Sequence, residues 1–198
     1  MRIKFKLGFL CSHGGSNMQA IIDNVKKGKL KADVCALVSN NSDAYCLQRA
    51  KNENIPAYHI SNKTHRDPDT AIIKIFNQYN VNTVILAGYM KMVSKELIDY
   101  FNKRVLNIHP ALLPKFGGEG MYGINVHKAV IAAGEKVSGA TVHLVTPEYD
   151  NGIILNQIQV PVKPSDTPET LAERVLKVEH ILYTDTLIKI YKGIIKLK

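Results

Sequence analysis

A mostly parallel α/β sheet with helices on both faces is the fold class the sequence predicts, and three observations predict it. Strand-like apolar runs alternate with amphipathic helical stretches through the first half of the chain. Two of those runs, residues 33–40 and 81–89, are apolar almost throughout, as strands covered on both faces are. Between the first strand and the first helix stands "CSHGGSN", a glycine turn of the kind that open parallel sheets carry at their ligand-binding edge.

Taken in order, residues 4–11 read as the first strand and 16–28 as an amphipathic helix closed by Gly28. Residues 33–40 form the second strand, and 42–54 a helix capped by Ser42 or Asp43. A short strand at 57–60, a polar loop and a helix over about 67–79 follow. Residues 81–89 are the clearest buried strand, 94–101 a short helix and 104–109 the next strand. This βαβαβαβαβ order calls for a Rossmann-like parallel sheet. The character then changes. A glycine-rich loop, Gly117 to Gly123, leads to a helix at about 124–133 and two alternating strands, 138–146 and 152–162, joined through "PEYDNG" and expected to be antiparallel. A long helix begins at Pro168 with Thr167 as its cap, and Leu171, Val175, Val178 and Leu182 recur at helical spacing. No repeat, low-complexity tract or linker interrupts the chain, so residues 1–198 read as one domain.

Composition narrows the function classes. Of 198 residues, 45% are hydrophobic and 22% charged, which suits a globular protein with a full core. No apolar run reaches the roughly 20 residues needed to cross a bilayer, and the basic start runs into a glycine turn, so it reads as a strand and not a signal peptide. The formal charge of +9 comes mostly from scattered lysines. No arginine-rich arm or aromatic-interleaved basic patch accompanies it, and no nucleic-acid partner is expected. Three cysteines, Cys11, Cys35 and Cys46, form no C-x-x-C pair. They fit a reducing, cytoplasmic setting, with Cys11 and Cys35 as small core residues.

Two places carry chemistry. In the glycine turn, Gly14 and Gly15 allow close backbone approach, and Ser16 and Asn17 open a helix whose free N–H groups favour an anion. A phosphate is the natural guest, although the turn is neither a Walker A loop nor a full G-x-G-x-x-G. In "RVLNIHPALLPKF", the strand period of two places Asn107 and His109 on one face, and Pro110 ends the pairing. His143 in the first added strand and Asp150 in the loop after it complete a set of amide, imidazole and carboxylate suited to acyl-type transfer. In it, Asp150 would raise the pKa of His109. Each has a plainer alternative: strand-end amide, core histidine, turn aspartate.

"LNIHPALLPKF" together with "GATVHLVTPEYDNGIIL" resembles the folate-dependent formyltransferase family, and "GGSNMQAII", "VILAGYMKMVS" and "VEHILY" resemble it in the same order over nearly the whole chain. The resemblance implies a formyltransferase fold with a phosphate-binding half at about 1–100 and a catalytic, folate-binding half at about 101–198. It implies transfer of a formyl group from 10-formyltetrahydrofolate, as co-substrate, to the amine of 5-phosphoribosylglycinamide in purine synthesis. No metal, nucleic acid or membrane is called for, and the protein is expected as a monomer or homodimer. The catalytic triad maps to Asn107, a protonated His109, and Asp150, with His143 lining the site. The phosphate and ribotide contacts map to Gly15, Ser16, Asn17 and Glu179. The folate contacts map to Met90, Lys91, Met92, Val93 and Asn107, with Pro147, Glu148 and Tyr149 opposite. Lys91 stands where the family often has arginine, Arg66 matches another folate-contacting arginine after a one-residue shift, and residues 117–127 receive no role. Two rivals stay open. One is a methionyl-tRNA or sugar-nucleotide formyltransferase, for which the chain leaves little room after its last helix. The other is a phosphometabolite-binding module without catalysis, which has no need of a converging triad.

Overall fold

The computed structural model describes residues 4–197; the first three residues of the basic start, and Lys198, lie outside them. The elements are β1 (Phe5–Cys11), α1 (Ser16–Lys26), β2 (Ala32–Ser39), α2 (Tyr45–Asn52), β3 (Ala57–His59), α3 (Pro68–Gln78), β4 (Thr83–Leu86), α4 (Lys95–Tyr100), β5 (Val105–His109), α5 (Ile124–Ala132), β6 (Val137–Leu144), β7 (Ile154–Pro161) and α6 (Pro168–Tyr191). The strands form one sheet in the order β3-β2-β1-β4-β5-β6-β7. The first five are mutually parallel, while β6 and β7 are added antiparallel. Strand order therefore reverses direction between β1 and β4, the switch point beyond which open α/β sheets bind ligands.

Alternation along β1 divides the core. Phe5, Leu7 and Phe9 pack with Met18 and Ile21 of α1 and with Leu171, Val175 and Leu182 of α6. Leu10 faces the other way, toward Ile72 and Phe76 of α3 and Leu97 and Ile98 of α4. Gly8 also points to this second face, where a Cβ would come within 2.9 Å of Phe76 and Val81, so α3 lies closer than any side chain would allow. Tyr183 fixes α6 to the sheet: its fully buried hydroxyl donates to the carbonyls of Leu86 (3.1 Å) and Leu106 (2.8 Å), next to the ends of β4 and β5. Thr167 caps α6, with reciprocal Thr167–Thr170 bonds and Pro168 in the first turn.

Three local expectations change. Helix α2 starts at Tyr45 with Ala44 as its N-cap, because the Ser42 hydroxyl turns to the Asp43 carboxylate and leaves the helix terminus uncapped by a side chain. Strand β4 is only Thr83–Leu86, since the chain leaves the sheet at Gly88 with φ +75°. Cys35 is half-buried, because β3 covers only Leu37–Ser39 of β2; Cys46, on α2, is fully buried with Cys11. No described helix is long and apolar enough to cross a membrane.

Candidate active site

β5 and β6 build the centre. Antiparallel pairing sets Asn107 opposite His143 and His109 opposite Thr141. His143 Nδ1 lies 2.8 Å from the Leu144 carbonyl, an acceptor only, so Nδ1 carries the proton. Nε2 then accepts from the Asn107 amide at 3.1 Å. That bond fixes the Asn107 amide with one N–H engaged and the other free. The same Nε2 lies 3.5 Å from Asp150 Oδ1.

His109 is buried between two acceptors. Its Nε2 is 2.7 Å from the Phe116 carbonyl and its Nδ1 is 3.4 Å from Asp150 Oδ2. Burial nevertheless outweighs both, and pulls the imidazole below its ordinary pKa of 6.5, with Asp150 and Phe116 opposing the shift. Asp150 does raise the His109 pKa, as expected, but desolvation wins, so the expected protonated His109 is corrected for the free protein. Burial also acts to raise the Asp150 carboxyl. The His143 and His109 imidazoles beside it and the Gly118 N–H at 3.0 Å together hold it below its ordinary value, so it is ionised near neutral pH. Asp150 takes a left-handed backbone, φ +53°, and Gly117 must be glycine beside it: a Cβ there would lie 3.1 Å from Asp150 Cβ and 2.6 Å from Leu113 Cδ2.

Asn107, His109 and Asp150 line one wall of a cavity of about 710 Å³. On the same cavity Asn17, in the first turn of α1, donates through Nδ2 to Glu179 of α6 at 2.6 Å. Glu179 is only 8% exposed, and burial pushes its carboxyl up to about 7, Asn17 offsetting part of the shift. The Asn17 Oδ1 is buried without a partner. No side chain caps α1, whose N-cap is Gly15 at φ +70°. A Cβ there would strike Cys46 Cβ at 2.7 Å, while Arg49 braces the turn through a 2.8 Å bond from Nε to the Gly14 carbonyl.

The remaining sequence-derived candidates divide. Met90 and Tyr149 line the same cavity. Lys91 and Met92 line a larger neighbouring one of about 1020 Å³, which spreads over the ends of β1–β3, meets the first at Tyr89 and holds none of the triad. Val93 is buried in the core beside α4, so its side chain packs away from both cavities. Pro147 and Glu148 line neither cavity. Arg66, exposed in the loop before α3, also lines neither. Gly15 and Ser16 lie in the chain between Gly14, on the larger cavity, and Asn17, on the smaller. Sequence reasoning missed the loop that it left without a role: residues 118–124 and His127 line the same cavity, Gly118 directly beside Asp150. Its glycines, at 117, 118, 120 and 123, were the available signal. The Phe116 carbonyl and Gly118 N–H were missed too, being backbone groups with no signature.

Fold and site together define an open α/β sheet carrying an amide, two imidazoles and a carboxylate on β5, β6 and the following loop, beside its switch point, geometry suited to acyl-type group transfer. Residues 5–187 match the family model described as formyl transferase, and the chain belongs to that family. It is similar to "Phosphoribosylglycinamide formyltransferase, chloroplastic" of Arabidopsis thaliana, with 45% identity over 185 residues, covering 91% of this chain and 63% of that protein. It is 36% identical to the "Trifunctional purine biosynthetic protein adenosine-3" of Bos taurus, covering 98% of this chain and 19% of that one. The chain thus spans less than two thirds of these relatives. Among solved structures, "glycinamide ribonucleotide transformylase 1" of Symbiobacterium toebii superposes with a TM-score of 0.91 at 35% identity, covering 98% of this chain and 91% of the other.

Proposed function

We propose that this chain transfers the formyl group of 10-formyltetrahydrofolate to the primary amine of 5-phosphoribosylglycinamide, in the cytoplasm and as a step of purine synthesis. The observation that carries the reading is one cavity lined both by Asn107, His109 and Asp150 and by the Asn17–Glu179 pair. The names of the relatives support the reaction, and the three free thiols support a reducing compartment.

The uncapped N-terminus of α1 receives the phosphate, with Gly15, Ser16 and Asn17 offering backbone N–H groups. Glu179 holds the ribotide. The folate lies along Met90 and Tyr149, with Lys91 and Met92 on the adjoining cavity for its outer part. Attack of the amine forms a C–N bond at the formyl carbon and converts C=O to an oxyanion. The free N–H of Asn107, fixed by His143, meets that charge. Developing negative charge also favours the imidazolium of His109, held between the Phe116 carbonyl and Asp150. Asp150 takes the proton the amine releases, directly or through water, and passes it to the folate nitrogen as the C–N bond to folate breaks.

The test is formyl transfer from 10-formyltetrahydrofolate with the ribotide, its dephosphorylated riboside, or no acceptor. Turnover with the ribotide, far weaker with the riboside, is expected. Equal rates with both acceptors, or release of formate independent of acceptor, would overturn the proposal.

A further inference from the structure

His127 stands in the first turn of α5 and belongs to no part of the mechanism above. It is 4% exposed and lines the triad cavity. Its Nδ1 is sealed from solvent with no hydrogen-bond partner. A buried polar atom left unsatisfied costs about 1–3 kcal/mol, so such a side chain is kept only where packing or a ligand requires it. Burial, reinforced by nearby His109, pushes the imidazole down to about 4. The ring is therefore neutral at physiological pH and carries one proton.

Which nitrogen holds that proton follows from the orphan. A buried acceptor without a partner is tolerated more readily than a buried donor without one. Nδ1 is then the bare acceptor, and Nε2, absent from the sealed unpartnered atoms, carries the hydrogen and keeps contact with the cavity. An uncharged N–H donor suits an uncharged oxygen. It lies close enough to His109 for the two imidazoles to interact, on a cavity that also holds Glu179. If the amine lies at His109 and the ribose at Glu179, the acceptor's carboxamide is the uncharged oxygen that joins them.

We propose that His127 is a positioning residue for the amine acceptor, donating from Nε2 to its carboxamide oxygen and so setting the reach of the amine toward the formyl carbon. This rests on the functional reading above, and it assigns a contact which that reading lacks. In His127→Phe the ring volume stays and the donor goes. The dissociation constant and KM for the ribotide should rise about tenfold, as loss of one neutral hydrogen bond does, with KM for the folate unchanged. His127→Gln, whose amide N–H₂ reaches about as far as Nε2, should recover most of the loss, which a purely structural role would not allow. A measurement on the unmutated protein stands beside the variants. In a ¹⁵N–¹H spectrum of histidine-labelled protein, His127 should show the Nε2–H form and shift on adding ribotide alone, but not folate alone.

The outcomes separate the two readings. If the ribotide does not bind the wild-type protein by calorimetry, both the functional reading and this contact are overturned. Binding with equal affinity to wild type and His127→Phe, or with the His127 nitrogens unmoved at saturation, overturns the contact alone. An Nδ1–H form of His127 overturns it as well.

Discussion

Glu179 is the residue whose replacement gives the sharpest thermodynamic test. Its carboxyl is pushed from 4.5 to about 7 by burial, against the Asn17 hydrogen bond. The sign follows from proton binding. Below pH 4.5 folded and unfolded chains both hold the proton, and Glu179 contributes no pH dependence. Between 4.5 and about 7 the unfolded chain releases it while the folded chain keeps it, so stability falls as pH rises. Above about 7 the loss is complete, and at about 1.4 kcal/mol per pH unit it amounts to about 3 kcal/mol. Glu179→Gln keeps the shape and an oxygen for Asn17 to donate to, and removes the titration. The variant should be more stable than the wild type by about 3 kcal/mol at pH 8 and by about 1 kcal/mol at pH 5. Urea unfolding at the two pH values, with slopes unchanged, measures this directly. The same variant should raise KM for the ribotide. A gain independent of pH, or a loss at pH 8, would refute the claim that burial holds this carboxyl protonated.

Two further outcomes follow from the site. Gly15→Ala forces a Cβ to within 2.7 Å of Cys46 Cβ at a backbone φ of +70°, and should cost about 2 kcal/mol or more in unfolding free energy; an unchanged urea midpoint would mean that the turn is not held as described. Asp150→Asn removes the carboxylate that opposes burial at His109, so the His109 pKa, already below 6.5, should fall further in an NMR titration; a rise would contradict the assignment of its causes.

Much of this was legible in the sequence because it depends on neighbours along the chain. The alternation of β1, the Thr167–Pro168 start of α6 and the shared face of Asn107 and His109 are all local. The pairing of His143 with Asn107 is not. It depends on the antiparallel register of β5 with β6, which the added strands acquire only on folding. Glu179 sits four residues after Val175 and three before Leu182, on the buried stripe of α6, so its burial was readable from spacing although its charge argued for solvent. The state of His109 could not be read, because it turns on how completely β5, the Phe116 loop and Asp150 exclude water. Arg66 matched a folate-contacting arginine only after a one-residue shift, and it is exposed and lines neither cavity.

The central claim is that Asn107, His109 and Asp150 act as one catalytic unit in formyl transfer, and single-turnover rates for Asn107→Ala, Asp150→Asn and their double mutant test it most directly. Loss of one oxyanion donor typically lowers turnover on the order of 100- to 1000-fold, and Asn107→Ala should fall in that range with folate affinity little changed. Residues acting as a unit lose activity non-additively, so the double mutant should be far less impaired than the product of the two single losses. Near-wild-type turnover in Asn107→Ala, or strictly multiplicative losses in the double mutant, would contradict the account.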